Sequence, residues 1–162
     1  MGKDNLQITM ANTYHQMYVQ TVFAVKYREA VIQTNWKAEL FAIIGNLINE
    51  AGCQSLIVNG VENHVHCFFS VKPSIAVSNV MQSAKAKSSK WINENKLLPH
   101  RFEWQEGYGC FTYSRSHMEA VYKYVQNQEE HHKKQTFREE YIAMLVKFGI
   151  DFDERYIFGD LE

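Results

Sequence analysis

The sequence predicts an α+β domain of the ferredoxin-like type, an antiparallel β-α-β-β-α-β sheet with additional C-terminal helices. Strand-like and helix-like segments alternate in that order, and one short turn joins the two central strands. The 162 residues are 46% apolar and 14% aromatic, and no linker or repeat divides them. We therefore expect one domain over 1–162, with a core at about 14–132 and a helical extension at 133–162.

The first half is predicted to form a strand, a helix and a hairpin. The first strand, M-Y-V-Q-T-V-F-A-V-K, is rich in β-branched and aromatic residues. Thr34 or Asn35 can cap the helix, and Gly52 can end it. Glu62 and Asn63 form the turn between the next two strands. The predicted elements are a strand at 17–26, a helix at 34–51 and strands at 54–61 and 64–71.

The second half is predicted to add a helix, a strand and two further helices. Pro73 and Ser74 open the first helix, which runs to about Asn95, and a fourth strand follows at roughly 102–113. The run S-H-M-E, beginning at Ser116, has the spacing of a capping box at the start of a third helix. An apolar stripe marks the last helix, ended by Gly149: Phe137, Tyr141, Met144, Leu145 and Phe148.

The charges are unevenly distributed, although the formal net charge is only −1. A near-neutral total argues mildly against a nucleic-acid-binding protein. However, cations cluster on the second helix and in the segment that follows it, while the residues after Gln128 are mainly acidic. The cluster fits either DNA-backbone contacts or a solvated helix face. Its candidate DNA contacts are Lys85, Lys87, Lys90 and Arg101.

Two histidines stand one residue apart in the third strand, E-N-H-V-H-C-F-F-S-V. Side chains alternate along a strand, so His64 and His66 face the same way while Val65 faces the other. The two imidazoles are then close enough to share one cation. The pattern alone also fits two histidines that merely lie in a sheet.

The third predicted helix contains a tyrosine and a glutamine one turn apart. Tyr124 and Gln128 flank the buried stripe of that helix, so their side chains can face the sheet together. A tyrosine packed on the core with a glutamine at its rim is the simpler alternative. His132 could approach the same place, but a supporting or surface role is favoured for it.

The strand histidines and the helix pair together fit metal-dependent phosphodiester chemistry. His64, His66 and Gln128 offer three neutral ligands, which leave positions open for a phosphate oxygen. Tyr124 would lie beside that phosphate. A phenol is a weak nucleophile at neutral pH unless a metal or a base assists it, and this combination would provide such help.

The H-V-H motif and Y-V-Q-N-Q-E-E-H-H at 124–132 resemble the HUH single-tyrosine transposases of bacterial and archaeal insertion sequences. The similarity extends to Y-V-Q-T-V-F-A-V-K-Y-R, to W-Q-E-G-Y-G-C-F-T-Y-S at 104–114 and to F-G-I-D-F-D-E-R-Y-I-F at 148–158. The H-V-H motif alone is weakly specific, whereas these segments in this order are strongly specific.

The resemblance implies an enzyme that cuts and rejoins single-stranded DNA at hairpin-marked element ends. Tyr124 would form a 5′-phosphotyrosine link, and His64, His66 and Gln128 would hold Mg²⁺ or Mn²⁺. The family acts as a homodimer whose active sites can combine residues of both subunits. Two alternatives are a non-mobilising DNA-binding or palindrome-processing relative and a metal-sensing module, although a sensor needs no nucleophile.

The location expected from the sequence is the cytoplasm, in association with DNA. No run of about 18 apolar residues predicts a membrane span. The start, M-G-K-D-N-L-Q, lacks the apolar core of an export signal.

Overall fold

The computed structural model describes residues 13–157. The two ends of the predicted domain, residues 1–12 and 158–162, lie outside the described residues. The described part contains four strands, namely β1 (Tyr18–Ala24), β2 (Gln54–Val61), β3 (His64–Ser70) and β4 (Gly109–Tyr113). Its α-helices are α1 (Thr34–Glu50), α2 (Val77–Glu94), α3 (Met118–Gln126), α4 (Gln128–His132) and α5 (Phe137–Lys147). None of the helices described is long and apolar enough to span a bilayer.

The four strands form one antiparallel sheet in the order β2-β3-β1-β4. β2 and β3 are the predicted hairpin, while β1 lies between β3 and β4. This order and the βαββαβ sequence of elements confirm the predicted ferredoxin-like class. β3 and β1 are therefore the central strands, and side chains on both are shielded from solvent.

Each face of the sheet packs against a different group of helices. Val65 lies on the face covered by α1 and α2, in one core cluster with Ile44 and Met81. His64 and His66 lie on the opposite face, because strand side chains alternate. Val121 and Val125 of α3 pack on that second face against Phe68 of β3. α5 covers the rest of it through Phe137, Met144 and Leu145.

Two predicted element boundaries differ from the structure for identifiable reasons. α2 begins at Val77 rather than near Pro73, because the chain first makes a turn that the 3.0 Å bond from Ile75 N–H to the Lys72 carbonyl closes. β4 is shorter than expected because its pairing with β1 is interrupted. Trp104 still bridges Val25, but Gly107 has a φ of 78°, outside the extended range, and regular pairing resumes only at Gly109.

The predicted helix caps are wrong at two positions. Gln33, not Thr34 or Asn35, occupies the N-cap of α1, and it makes no side-chain cap bond. Ser116 does not cap α3, because its hydroxyl bonds with Ser114 and His117 instead. A capping box does exist further along the chain. Thr136 and Glu139 bond reciprocally and fix the first turn of α5.

The hairpin should be sensitive to Gly60, where β2 passes closest to β3. A Cβ at Gly60 would lie 2.2 Å from the carbonyl oxygen of His64 and 3.0 Å from the Cα of Val65. Gly60→Ala should therefore separate the strands and lower the free energy of unfolding by about 2–3 kcal/mol, measured in urea.

Gly45→Ala on α1 provides the matched control for this substitution. The nearest atom to its Cβ would be the rotatable Ser55 hydroxyl at 3.3 Å. Alanine also favours a helix over glycine, so this variant should stay within about 1 kcal/mol of the wild type. Equal losses in the two variants would contradict the strand-clash explanation.

Candidate functional site

The two strand histidines are fully buried beside each other, with ring centroids 5.2 Å apart. The side-chain oxygen of Asn63 lies 2.7 Å from Nδ1 of His64 and can only accept, so Nδ1 carries the proton. Nε2 of a neutral His64 is then unprotonated, and it has no hydrogen-bond partner. On His66, the Gln20 amide nitrogen contacts Nδ1 at 2.8 Å, and the Tyr113 hydroxyl donates to the Gln20 oxygen at 2.9 Å.

The structure brings Tyr124 to this histidine pair within the same chain. Its ring centroid lies 5.9 Å from that of His66. The Asn59 amide of β2 holds the end of α3 by donating to the carbonyls of Val125 and Gln126, both at 3.0 Å. α3 is therefore tied to the strand next to the histidines.

Gln128 is also at the site, although the helix that was expected to carry both residues is broken. α3 ends at Gln126, and α4 starts at Gln128 after a non-helical Asn127. The Gln128 side chain is nevertheless fully buried, and its amide oxygen has no hydrogen-bond partner. Two of the three expected ligands, His64 and Gln128, thus present unpaired polar atoms.

Glu140 of α5 lies at the centre of the cluster and is 2% exposed. Its Oε1 is 2.9 Å from Nε2 of His66, 3.2 Å from that of His132 and 3.4 Å from that of His64. Its Oε2 accepts a hydrogen bond from the Tyr124 hydroxyl and lies 3.5 Å from the Gln128 amide nitrogen. One carboxylate therefore contacts every predicted site residue of the histidine and tyrosine motifs.

The cluster strongly perturbs the protonation of its members. Burial lowers the pKa of His64 to about 4, although Glu140 partly counteracts this effect. Burial alone would raise the pKa of Glu140, but its contacts with His132, His64 and His66 bring that pKa well below the usual range. Burial and then the neighbouring Glu140 charge raise the pKa of Tyr124 far above that of a free phenol. The unassisted Tyr124 hydroxyl is therefore a poor nucleophile.

Four described side chains are close enough together to hold one metal ion. One ligand atom from each of His64, His66, His132 and Glu140 lies within 4.8 Å of the others. The unpaired amide oxygen of Gln128 adds another oxygen donor. Imidazole, carboxylate and amide groups together suit a divalent cation.

The sequence predictions missed Glu140, although a signal for it existed. Glu140 is three residues after Phe137 and four before Met144, so it occupies a position of the apolar stripe of α5. A charged residue at a core position is rarely buried unless it is paired or functional. His132 was expected to have a supporting or surface role. In the structure its side chain is 11% exposed and lies against Glu140.

The candidate DNA-contacting cations lie elsewhere. Lys85 is half-buried, and its ammonium group donates to the carbonyls of Gln105 at 2.6 Å and Gly107 at 2.8 Å. Lys87 and Lys90 are exposed on α2, which covers the opposite face of the sheet from the histidines. Arg101 is exposed in the loop after α2. None of these four cations contacts the cluster around Glu140.

A cleft of about 360 Å³ opens beside Tyr124 and Glu140. Gln20 and Tyr113 line it from the sheet, while α3 and α5 form its walls. Lys147 of α5 supplies a positive charge to its lining. The cleft therefore gives a ligand a route to the tyrosine.

The metal-free protein should lose stability in acid because His64 is buried in its neutral form. Its pKa is about 4 when folded, against an ordinary value of 6.5. Between these values the unfolded chain binds more protons, so the free energy of unfolding should fall as the pH drops from about 6.5 to 4, by up to about 3 kcal/mol. Urea titrations with a chelator would measure this loss. A His64→Gln variant should show a weaker dependence, and an unchanged dependence would contradict the assignment to His64.

Comparison with known families gives a match over most of the chain. A family model described as "Transposase IS200 like" matches residues 13–128. This range includes both strand histidines, Tyr124 and Gln128. A search of curated proteins returns no match.

Two solved structures resemble the chain at low sequence identity. One is a chain from Deinococcus radiodurans R1 assigned as a transposase, with 18% identity and a TM-score of 0.59, covering 74% of this chain and 95% of that one. The other is a REP-associated tyrosine transposase bound to a REP hairpin, with 13% identity, a TM-score of 0.54 and 94% coverage of both chains. At these identities the likeness supports the shared fold.

Proposed function

The chain belongs to the IS200-like transposase family, and we propose that it cuts and rejoins single-stranded DNA through a covalent link to Tyr124. The observation that supports this most strongly is the position of the Tyr124 hydroxyl. It lies at a buried cluster of imidazole and carboxylate groups, beside a cleft that opens to the surface. A packing tyrosine would need neither feature.

In the proposed reaction, the Tyr124 oxygen attacks the scissile phosphorus. The tyrosine–phosphorus bond forms as the bond from phosphorus to the 3′ oxygen breaks. The phenol gives up its proton, and the departing oxygen becomes a 3′-OH. Attack of another 3′-OH on the phosphotyrosine reverses these changes, so rejoining needs no external energy source.

The residues of the cluster fit the divalent metal that the proposal requires. Nε2 of His64 and the amide oxygen of Gln128 are buried without partners, and such orphan atoms are costly unless a ligand satisfies them. With His66 they would hold Mg²⁺ or Mn²⁺. When bound, the ion would supply positive charge against the phosphate and the developing phenolate.

Hairpin DNA is the proposed partner. The structurally similar REP-associated transposase was solved with a REP hairpin, and the family match covers the corresponding core. Lys87 and Lys90 on α2 could contact the DNA backbone at a distance from the cleavage site, where each contact releases condensed counterions.

We also propose a homodimer. Of the described strands, β4 pairs only with β1, so its outer edge is open to a second sheet.

The test is a covalent-adduct assay with end-labelled single-stranded hairpin DNA drawn from the sequence flanking the gene. Wild-type protein with Mg²⁺ or Mn²⁺ should yield a protein–DNA species that survives denaturing electrophoresis and disappears with EDTA. The same sequence as a fully paired duplex is the control and should give no adduct. Cleavage without an adduct, or an adduct that does not depend on metal, would contradict the proposal.

A further inference from the structure

The carboxylate of Glu140 has unusual surroundings for a buried charge. The described ion-pair candidates of Glu140 are imidazoles, at 2.9, 3.2 and 3.4 Å from Oε1. A buried carboxylate that lacks a full positive partner costs several kcal/mol. An imidazole is not a permanent cation, so a bound metal ion would stabilise this carboxylate more than the imidazoles alone do.

The hydrogen-bond pattern of His64 points to a cation as that missing partner. Asn63 fixes the proton of His64 on Nδ1, so the lone pair on Nε2 is directed toward the cluster. The nearest atom of Glu140 lies 3.4 Å away and also carries lone pairs. Two acceptors facing each other at this distance repel, whereas a cation between them would bind both.

Glu140 also supplies the negative charge that the three expected ligands lack. His64, His66 and Gln128 are all neutral, whereas Mg²⁺ and Mn²⁺ are normally bound with at least one carboxylate. The second oxygen of Glu140 meanwhile accepts the hydrogen bond from the Tyr124 hydroxyl. Oε1 thus faces the histidines, while Oε2 faces Tyr124 and Gln128.

We propose that Glu140 is a metal ligand that also holds the Tyr124 hydroxyl, so that one carboxylate sets the distance between the ion and the nucleophile. This inference rests on the proposed function. It adds a residue of α5 to a site otherwise built from β3, α3 and α4. Because the donor set then combines imidazoles with a single carboxylate, Mn²⁺ should bind more tightly than Mg²⁺.

Mn²⁺ binding without DNA tests this inference. Calorimetric titration should show one site in the wild type, with an affinity lowered at least tenfold in Glu140→Gln, which keeps the size of the side chain but removes the charge. Glu119→Gln is the control, because it makes the same charge change on the exposed surface of α3, and it should bind like the wild type.

A second measurement covers the case in which Glu140→Gln does not fold. Anomalous diffraction from Mn²⁺-soaked crystals of the wild type should place the ion within bonding distance of a Glu140 oxygen. An ion bound to His64 and His66 but beyond reach of Glu140, or a folded Glu140→Gln with wild-type affinity, would overturn the inference. The adduct assay would still support the proposed function in that case. Conversely, Glu140-dependent Mn²⁺ binding without any DNA adduct would contradict the proposed function alone.

Discussion

Tyr124→Phe should abolish the covalent protein–DNA adduct and lower strand cleavage by at least about a thousandfold. The substitution removes the one oxygen that the proposed reaction joins to phosphorus and leaves the ring in place. The ring packs 4.6 Å from that of His131 and 5.9 Å from that of His66, so the fold should be preserved. Single-turnover assays on labelled hairpin DNA would measure the loss.

The matched control is Tyr122→Phe on the same helix. Tyr122 is 40% exposed and lies away from the sheet, so its variant should form adduct at the wild-type rate. Full cleavage by Tyr124→Phe would show that another group is the nucleophile. A loss shared by both variants would indicate damage to α3 instead.

His64→Ala should lower cleavage at limiting Mn²⁺ by at least about a hundredfold. Loss of a group that merely supports a ligand commonly costs 10- to 100-fold in metal affinity or activity, and loss of a ligand should cost no less. Nε2 of His64 has no hydrogen-bond partner, so the described contacts that the substitution removes are the Nδ1 bond to Asn63 and the ring stacking on Phe137. Excess Mn²⁺ should restore part of the rate, because the remaining ligands still bind weakly.

His100→Ala is the control for this experiment, since His100 is half-exposed and pairs with the surface residue Glu29. Its rate should follow that of the wild type at every metal concentration. A His64→Ala variant that is fully active at limiting Mn²⁺ would remove the strand histidine from the proposed site. Circular dichroism should confirm that both variants are folded.

The fold was predictable because its signals are local. β2 was placed to the residue at Gln54–Val61 and β3 to within one residue of its end at Ser70, since the short turn and the apolar strands are contiguous in sequence. The boundaries of α2 and β4 were less accurate because short turns that the apolar pattern does not reveal decide them. The bond from Ile75 N–H to the Lys72 carbonyl delays the start of α2, and the left-handed backbone at Gly107 separates the Val25–Trp104 bridge from β4.

The candidate site was also predictable only in part, because its local motifs were recognised and the residue that only packing brings to it was not. The spacing of His64 and His66 in a strand, and of Tyr124 and Gln128 near a helix end, suggested that each pair acts together. Glu140 is 74 positions from His66, and no short motif links them. Only the packing of α5 against the sheet brings them together, and one charged residue within an apolar stripe was the sole trace of it in the sequence.

The bonds from Asn59 to the end of α3 bear on how two copies of this protein would cooperate. They hold Tyr124 over the histidines of its own chain, whereas the family resemblance allows sites completed by a partner. In genetic terms, a copy without the tyrosine and a copy without the histidines should then fail to complement each other. If the bonds from Asn59 to α3 were broken, two such copies could exchange the helix that carries Tyr124 and complement each other.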